Sequence, residues 1–177
     1  MRIPKIIAAM ILAALGYPLP APAQIPPDLP AERGLSFLDT HTKEELSVVY
    51  FKQGAYDPAA LAAVDRFFRD PLNGQIAPID PRLLDLLFVL RSTLKSDAPY
   101  HLICGYRSPD TNGVLRRRSS GVSANSRHMS GTAADIRLPG VRLSALYRAA
   151  RDLRGGGVGY YPSSDFIHVD IGPVRYW

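Results

Sequence analysis

Helical patterns and strand patterns occupy different parts of this chain, and this order limits the folds open to it. Asp57-Pro58 and Asp80-Pro81 each place an N-cap aspartate before a proline at the first helical position. We predict one helix from the first pair to about Arg69 and a second helix after the other pair. The second helix has an apolar face of Leu83, Leu86, Leu87, Leu90 and Leu94.

Two further helices are predicted from their terminal signals. Thr42 and Glu45 form a capping box, so a helix is expected from there to Gly54. The pattern over 143–153 predicts another helix, closed by Gly155. Leucine and aromatic residues dominate the three helices in the N-terminal part, and we interpret those helices as scaffold without chemistry of their own.

Short strands are predicted only after Ser96. Residues 100–104 have the pattern of a strand, and 156–161 with 166–171 have the pattern of a hairpin whose turn is 162–165. Helices first and short strands later are typical of an α+β domain. We therefore predict helices packed on a small antiparallel β-sheet.

Residues 1–23 have the order of a secretory signal peptide, with a charged start, an apolar stretch over 6–16 and small residues at Ala21 and Ala23. A buried N-terminal helix is the alternative, but the prolines end the apolar run too early for it. Cleavage before Gln24 removes two basic residues and lowers the formal charge from +5 to +3. We expect a periplasmic or secreted protein.

The rest of the chain is expected to be a proline-rich tether over 24–34 and one domain over 35–177.

The single cysteine, Cys104, excludes an intrachain disulfide and a thiolate metal cluster. No apolar run reaches the roughly 18 residues of a transmembrane helix. Arginines 116–118 are interpreted as a solvated helix end, with a polymer-binding patch as the alternative. Export and the lack of interleaved aromatic platforms argue against nucleic-acid binding.

The segment 166–171 presents a histidine and an aspartate on one face of a predicted strand. Side chains alternate along a strand, so its three branched aliphatic residues share one face, and His168 and Asp170 share the other. A hydrogen-bonded structural histidine is the alternative interpretation.

A second histidine and aspartate lie upstream. His128 and Asp135 are seven residues apart, an odd separation that would put them on opposite faces of a continuous strand. The break at Ser130-Gly131 permits a turn, so both side chains can converge. With His168 they would form a three-ligand zinc site that keeps a fourth position for water. A loop that merely contains these residues is the alternative.

Three motifs resemble those of zinc D-Ala-D-Ala peptidases, a group related to lysostaphin-type enzymes and hedgehog domains. Residues 128–135 resemble the H-x-x-G-x-A-x-D signature, 105–109 the upstream arginine turn, and 165–168 the final [DE]-x-x-H. The closer similarity, from about Leu35 to Trp177, is to exported murein endopeptidases. The resemblance implies a small α+β fold, one Zn²⁺ per chain, and cleavage of peptide bonds in peptidoglycan stem peptides or cross-links.

The resemblance also assigns roles to the matching residues. It implies that His128, Asp135 and His168 are the metal ligands. Arg107 would bind the substrate carboxylate or polarise the scissile carbonyl, because its guanidinium presents a planar fork of donors to either group. A turn-stabilising surface residue is the alternative for this arginine.

The general base is the least constrained role. Asp165 occupies the position of the family's acidic residue and is favoured, although it is one methylene shorter than a glutamate and lies in a predicted turn. Asp170 is the competitor because it shares a strand face with His168. It could equally orient a ligand instead of moving a proton.

Two classes of function remain open from the sequence. The first is a zinc metallopeptidase of the D,D-endopeptidase or D,D-carboxypeptidase type. The second is a catalytically silent zinc-containing module that binds peptidoglycan stem peptides. The acidic residue at position 165 favours the enzyme, as does the absence of an obvious fourth ligand. A monomer is favoured.

Overall fold

Eight strands form one sheet in the computed structural model, which describes residues 29–119 and 121–177. The strands are β1 (Arg33–Asp39), β2 (Glu45–Lys52), β3 (Ala55–Tyr56), β4 (Tyr100–Cys104), β5 (Ala133–Arg137), β6 (Gly157–Tyr161), β7 (Phe166–Asp170) and β8 (Arg175–Tyr176). Their order across the sheet is β3-β2-β1-β4-β5-β7-β6-β8. Neighbouring strands are antiparallel except for the pairs β1–β4 and β6–β8.

The described ranges also contain four α-helices that pack on this sheet. They are α1 (Pro58–Phe67), α2 (Pro81–Thr93), α3 (Pro109–Arg118) and α4 (Leu143–Leu153). α1 contacts β2, α2 contacts β1 and α4, and α4 contacts β6 and β7. The predicted α+β class is confirmed. The sheet is larger than the small one expected, because strands on both sides of the central β4 and β5 extend it.

Both Asp-Pro pairs begin helices, as predicted. The Asp57 carboxylate accepts hydrogen bonds from the backbone N–H groups of Ala59 and Ala60, and Asp80 accepts one from Arg82. These bonds satisfy backbone donors that the first helical turn leaves without a partner. The C-terminal helix is also confirmed, as α4.

The helix predicted over 42–54 is wrong, because this segment contains β2. The Thr42 hydroxyl accepts a hydrogen bond from the backbone N–H of Glu44. In the same turn, the backbone N–H groups of His41 and Thr42 donate to the Asp39 carboxylate. The adjacent valines of β2 favour a strand, and β2 pairs with β1 along almost its whole length. Cross-strand pairing therefore overrides the local capping signal.

α3 is a helix of which the sequence analysis predicted only the end, at 116–118. The Ser108 hydroxyl accepts a hydrogen bond from the backbone N–H of Thr111, and Pro109 occupies the first turn. Ser108-Pro109 places an N-cap residue before a proline, as the two Asp-Pro pairs do, so the sequence contained the start signal of this helix. The solvated helix end expected at 116–118 is the exposed last turn of α3.

The N-terminal boundary is only partly described. β1 begins at Arg33, inside the stretch predicted as a tether over 24–34. The predicted signal peptide and its cleavage site lie outside the described residues, since the description starts at residue 29. No helix in the described part of the chain combines the length and apolarity needed to cross a membrane.

A buried polar cluster joins β1 and β2 to α2, far along the sheet from β5 and β7. Arg33 Nε lies 3.1 Å from Asp85 Oδ1, and the hydroxyls of Tyr50 and Tyr56 donate to the same carboxylate at 3.0 and 2.6 Å. Burial and the bond to Asp85 raise the pKa of Tyr56 to about 12. This cluster contributes to the buried core.

Candidate metal centre

β5 and β7 bring an aspartate and a histidine together in the sheet. In their antiparallel register Asp135 lies directly opposite His168. Opposed residues of neighbouring strands point to the same face, and His168 Nδ1 lies 2.9 Å from Asp135 Oδ1. The predicted alternation of side chains along 166–171 therefore places His168 on the same face of the sheet as the Asp135 carboxylate.

A short turn delivers the second histidine. Residues 127–130 form one turn of 3₁₀-helix, and Gly131 ends it with a φ of +65°. A Cβ on this glycine would lie 2.0 Å from the Pro78 carbonyl oxygen, so no other residue fits. The turn predicted at this glycine is confirmed.

The three predicted metal ligands meet at one point. His128 Nε2 lies 3.1 Å from His168 Nδ1 and 3.2 Å from Asp135 Oδ1. All three side chains are at least nine-tenths buried. In a tetrahedral zinc site with bonds of about 2.0–2.1 Å, neighbouring ligand atoms are about 3.3–3.4 Å apart. The observed separations are close to that distance, so this donor set fits Zn²⁺.

The outward nitrogens of both rings are held by acceptors. His128 Nδ1 donates to the Gly105 carbonyl oxygen at 2.7 Å, and His168 Nε2 donates to Asp170 Oδ2 at 3.0 Å. A neutral imidazole carries one proton, so a proton held on the outward nitrogen leaves the inward one free for a metal. Such outer partners are typical of histidines that bind metals.

His128 and Asp135 shift each other's pKa even without a metal. Burial would lower the pKa of His128, but the Asp135 carboxylate beside it raises this pKa well above the usual value. Burial would raise the pKa of Asp135, but the charges and hydrogen bonds of His128 and His168 hold it well below the usual range. A carboxylate that stays ionised inside the protein is a strong attraction for a cation.

Asp170 is fully buried behind His168. Besides the His168 ring, its carboxylate accepts hydrogen bonds from the backbone N–H groups of Gly157 and Gly172 and from two nitrogens of Arg175. Burial would raise the pKa of Asp170, but the bonds from His168 and Arg175 outweigh burial and keep the pKa low. These contacts hold the His168 ring in place and occupy both oxygens of the Asp170 carboxylate.

Asp165 lies apart from the three ligands. Its carboxylate accepts a hydrogen bond from Arg137 at 2.9 Å, and its side chain is 64% exposed. It lines a separate depression next to His101 and α4. Its backbone is left-handed, with a φ of +52°, at the turn that joins β6 to β7. The hairpin turn was predicted, and the structure does not bring this carboxylate to the metal ligands.

Arg107 does lie beside the ligands. Its Nη2 is 3.9 Å from Asp135 Oδ2 and donates to the Cys104 thiol at 3.4 Å. The guanidinium is only 14% exposed. It follows β4 in the turn that precedes α3, and its backbone N–H donates to the His128 carbonyl oxygen. The arginine turn of the sequence motif is therefore part of the site.

The ligands open onto a cleft of about 450 Å³. Its lining includes the aromatic residues Tyr161, Phe166 and Trp177. It also includes residues of the loop that follows α3: Gly121, Val122, Ser123, Asn125 and Ser126. The Trp177 indole lies 5.3 Å from the His168 ring and donates to the Tyr161 hydroxyl at 2.8 Å. The cleft is large enough for several residues of a peptide.

One family of peptidases matches residues 29–177, and it is described as peptidoglycan L,D-endopeptidase MepK. The chain belongs to this family. MepK of Escherichia coli K12 is 43% identical over 159 residues, which cover 90% of this chain and 87% of the relative. A probable MepK of Haemophilus influenzae is 43% identical over 149 residues, which cover 84% of this chain and 80% of the relative. The resemblance drawn from the three sequence motifs is thereby confirmed.

Sequence reasoning missed two features of this MepK-family cleft. Cys104 was considered only as the single cysteine that excludes a disulfide and a thiolate cluster, yet its sulfur lies within 4.8 Å of nitrogen or oxygen atoms of His128 and Asp135. Trp177 was not singled out at all. Both depend on pairing between strands, since Cys104 lies opposite Asp135 in the sheet and Trp177 reaches the cleft along β6.

Proposed function

We propose that this protein is a zinc-dependent peptidoglycan endopeptidase of the cell envelope. The convergence of His128, Asp135 and His168 at an open cleft carries the proposal. Membership of the MepK family supports it. Three protein ligands beside an open cleft are typical of a catalytic metal site, which keeps one position for water or substrate.

The metal would be held by His128 Nε2, His168 Nδ1 and Asp135, with one Zn²⁺ per chain. When bound, it would supply Lewis acidity that polarises the scissile carbonyl and lowers the pKa of water. The chain's own part is to keep both imidazoles in the correct tautomer, through Gly105 and Asp170.

Arg107 is proposed to stabilise the oxygen of the scissile carbonyl as negative charge develops on it. Its guanidinium lies within 3.9 Å of the ligand carboxylate and is largely withdrawn from water. A fixed cation in such a place stabilises a developing oxyanion far better than it would in bulk solvent.

Asp165 is retained as the proposed general base. The neighbouring residue, Phe166, lines the cleft, so a rotation of the exposed Asp165 side chain is the simplest route for a carboxylate to the attacking water. This rotation requires the carboxylate to leave Arg137, and such contacts often form only with substrate bound. Asp165→Asn should keep its metal and lower kcat; full activity would move the role to another group.

The scissile bond is proposed to be of the L,D type. The sequence motifs resemble D-Ala-D-Ala peptidases, but the relatives over most of the chain are named L,D-endopeptidases. Purified muropeptide dimers with either an L,D or a D,D cross-link distinguish the two possibilities. Preferential cleavage of the D,D dimer would contradict this assignment.

A silent zinc-containing binding module is the second candidate, and the position of Cys104 is the observation that favours it. A thiol near His128 and Asp135 offers a fourth protein ligand, and four protein ligands are typical of structural zinc sites. The hydrogen bond from Arg107 to this sulfur favours the enzyme, because it gives the thiol another partner.

The decisive experiment measures zinc and cleavage in the same preparations. Purified peptidoglycan is incubated with the mature protein, with and without a chelator, and products are separated by chromatography. His128→Ala, Asp135→Ala and His168→Ala should each lose zinc and activity. His41→Ala is the matched control, since this histidine is exposed and its ring bonds only to the Ile103 carbonyl within the described part of the chain. Zinc retention in all three variants would refute the site.

Export is the remaining part of the proposal. Amino-terminal sequencing of protein from the envelope fraction should find Gln24 as the first residue, after removal of the predicted signal peptide. A cytosolic protein that starts at Met1 would contradict both the location and the peptidoglycan substrate.

A further inference from the structure

Three arginines line the cleft, and two of them already have partners. Arg107 bonds to Cys104 and lies near Asp135, and two nitrogens of Arg175 bond to Asp170. Arg127 differs. Within residues 29–119 and 121–177, its guanidinium makes no ion pair and no hydrogen bond, so its donors are available to a ligand.

The backbone of Arg127 is nevertheless firmly held. Its carbonyl oxygen accepts hydrogen bonds from the hydroxyls of Ser130 and Thr132 and from the Thr132 backbone N–H. The next residue is His128, whose ring is fixed in the ligand cluster. The side chain therefore starts from a rigid point directly beside a proposed metal ligand.

The guanidinium of this arginine packs against Gly172. A Cβ built on Gly172 would lie 2.7 Å from each of Arg127 Cζ, Nε and Nη2. Equal distances to three atoms of one planar group mean that the glycine faces the flat side of the guanidinium. The plane of the guanidinium thus lies over a buried glycine.

We propose that Arg127 binds a free carboxylate of the peptide substrate, next to the scissile bond. A guanidinium with a fixed plane pairs with a carboxylate through two parallel hydrogen bonds. Stem peptides of peptidoglycan carry free carboxylates, so the inference rests on the proposed function and specifies an anionic peptide as substrate. The two arginines then have separate tasks: Arg107 acts on the reacting carbonyl, and Arg127 selects and orients the substrate.

The experiment compares one ligand in two forms. An uncross-linked disaccharide-tetrapeptide with free carboxylates, and the same molecule with them amidated, are titrated into the zinc-loaded protein by calorimetry. Arg127→Gln should weaken binding of the free form about 10- to 100-fold and leave the amidated form unchanged. Arg148→Gln is the matched control, because it removes an equal charge from an exposed position on α4 outside the cleft.

Gly172→Ala provides a second variant that keeps the charge. The three atoms nearest to the added methyl group all belong to the end of the Arg127 side chain, so the fold should persist while the guanidinium is displaced. We expect a smaller loss of affinity, again confined to the free form. Equal losses for both forms in Arg127→Gln, or no loss in either, would overturn the inference.

Cleavage assays with cross-linked muropeptides separate this inference from the proposed function. If the wild-type protein cleaves nothing, yet Arg127→Gln still loses affinity for the free form only, the enzyme proposal fails and the carboxylate site stands. If the wild-type protein cleaves its substrate but binds both forms equally, the carboxylate site fails and the enzyme proposal stands.

Discussion

Replacing Asp170 by asparagine tests whether this carboxylate positions His168 or moves a proton itself. The asparagine oxygen can replace Oδ1 and keep the bonds from Gly157 and Gly172. Its NH₂ group then faces His168 Nε2 and Arg175, both of which are donors in the wild type. The ring can respond by moving its proton to Nδ1, which is the nitrogen proposed to bind the metal.

The magnitude follows from this change of tautomer. Loss of an outer partner typically lowers metal affinity 10- to 100-fold, which is about 1.4–2.7 kcal/mol. The Arg175 charge also loses its counterion, but its side chain is 42% exposed and can turn to water. We therefore expect the effect on metal affinity to be specific and the effect on folding to be moderate.

Competition with a chromophoric chelator measures the zinc affinity of the wild type and of Asp170→Asn. Activity of the variant should return as free zinc is raised, since the defect lies in occupancy. Asp85→Asn is the matched control: it removes another buried, hydrogen-bonded carboxylate outside the cleft and should lower only the free energy of unfolding. Wild-type zinc affinity in Asp170→Asn, with activity lost at every zinc concentration, would refute a positioning role and make Asp170 the base.

Three further outcomes are expected. Arg107→Ala should keep zinc, measured by elemental analysis, while kcat/KM falls about 30- to 1,000-fold, and Arg107→Lys should recover only part of the loss. Cys104→Ser should change zinc affinity in chelator competition by less than about twofold if the thiol is not a ligand, whereas a closed structural site would lose at least tenfold. Gly131→Ala should lower the free energy of unfolding in urea by at least about 2 kcal/mol, because its backbone is left-handed and its Cβ would meet Pro78.

The parts of the fold that the sequence predicted are those that depend on neighbours in the chain. The Asp57 and Asp80 caps and the hairpin over 156–171 use contacts within a few residues. The helix predicted at Thr42 failed because β1, which pairs with this segment, was not recognised. A threonine hydroxyl can accept a hydrogen bond from a nearby backbone N–H in a capping box or in a turn, and here the partner strand decides between them.

The candidate site also divides into features that local sequence patterns predicted and features that depend on distant strands. Motif order and strand alternation predicted that His128, Asp135 and His168 lie together, and the structure brings them together. Their role as metal ligands stays a prediction. The contact of Asp165 with Arg137 and the place of Cys104 beside Asp135 were not found, because each depends on strands that are distant in sequence. Composition and spacing hold no information on such pairings, so the sequence left both residues open to other interpretations.

Because Asp135 and His168 lie directly opposite each other, the proposed metal centre forms only when β5 and β7 pair in the correct register. If β7 slid by one residue along β5, each of its side chains would move to the other face, and His168 would point away from the carboxylate. A chain folded in that shifted alignment would lose the proposed zinc site along with its core. Zinc uptake during refolding should therefore report only molecules in which β5 and β7 pair in the correct register. A bound ion would also hold the two strands in that register.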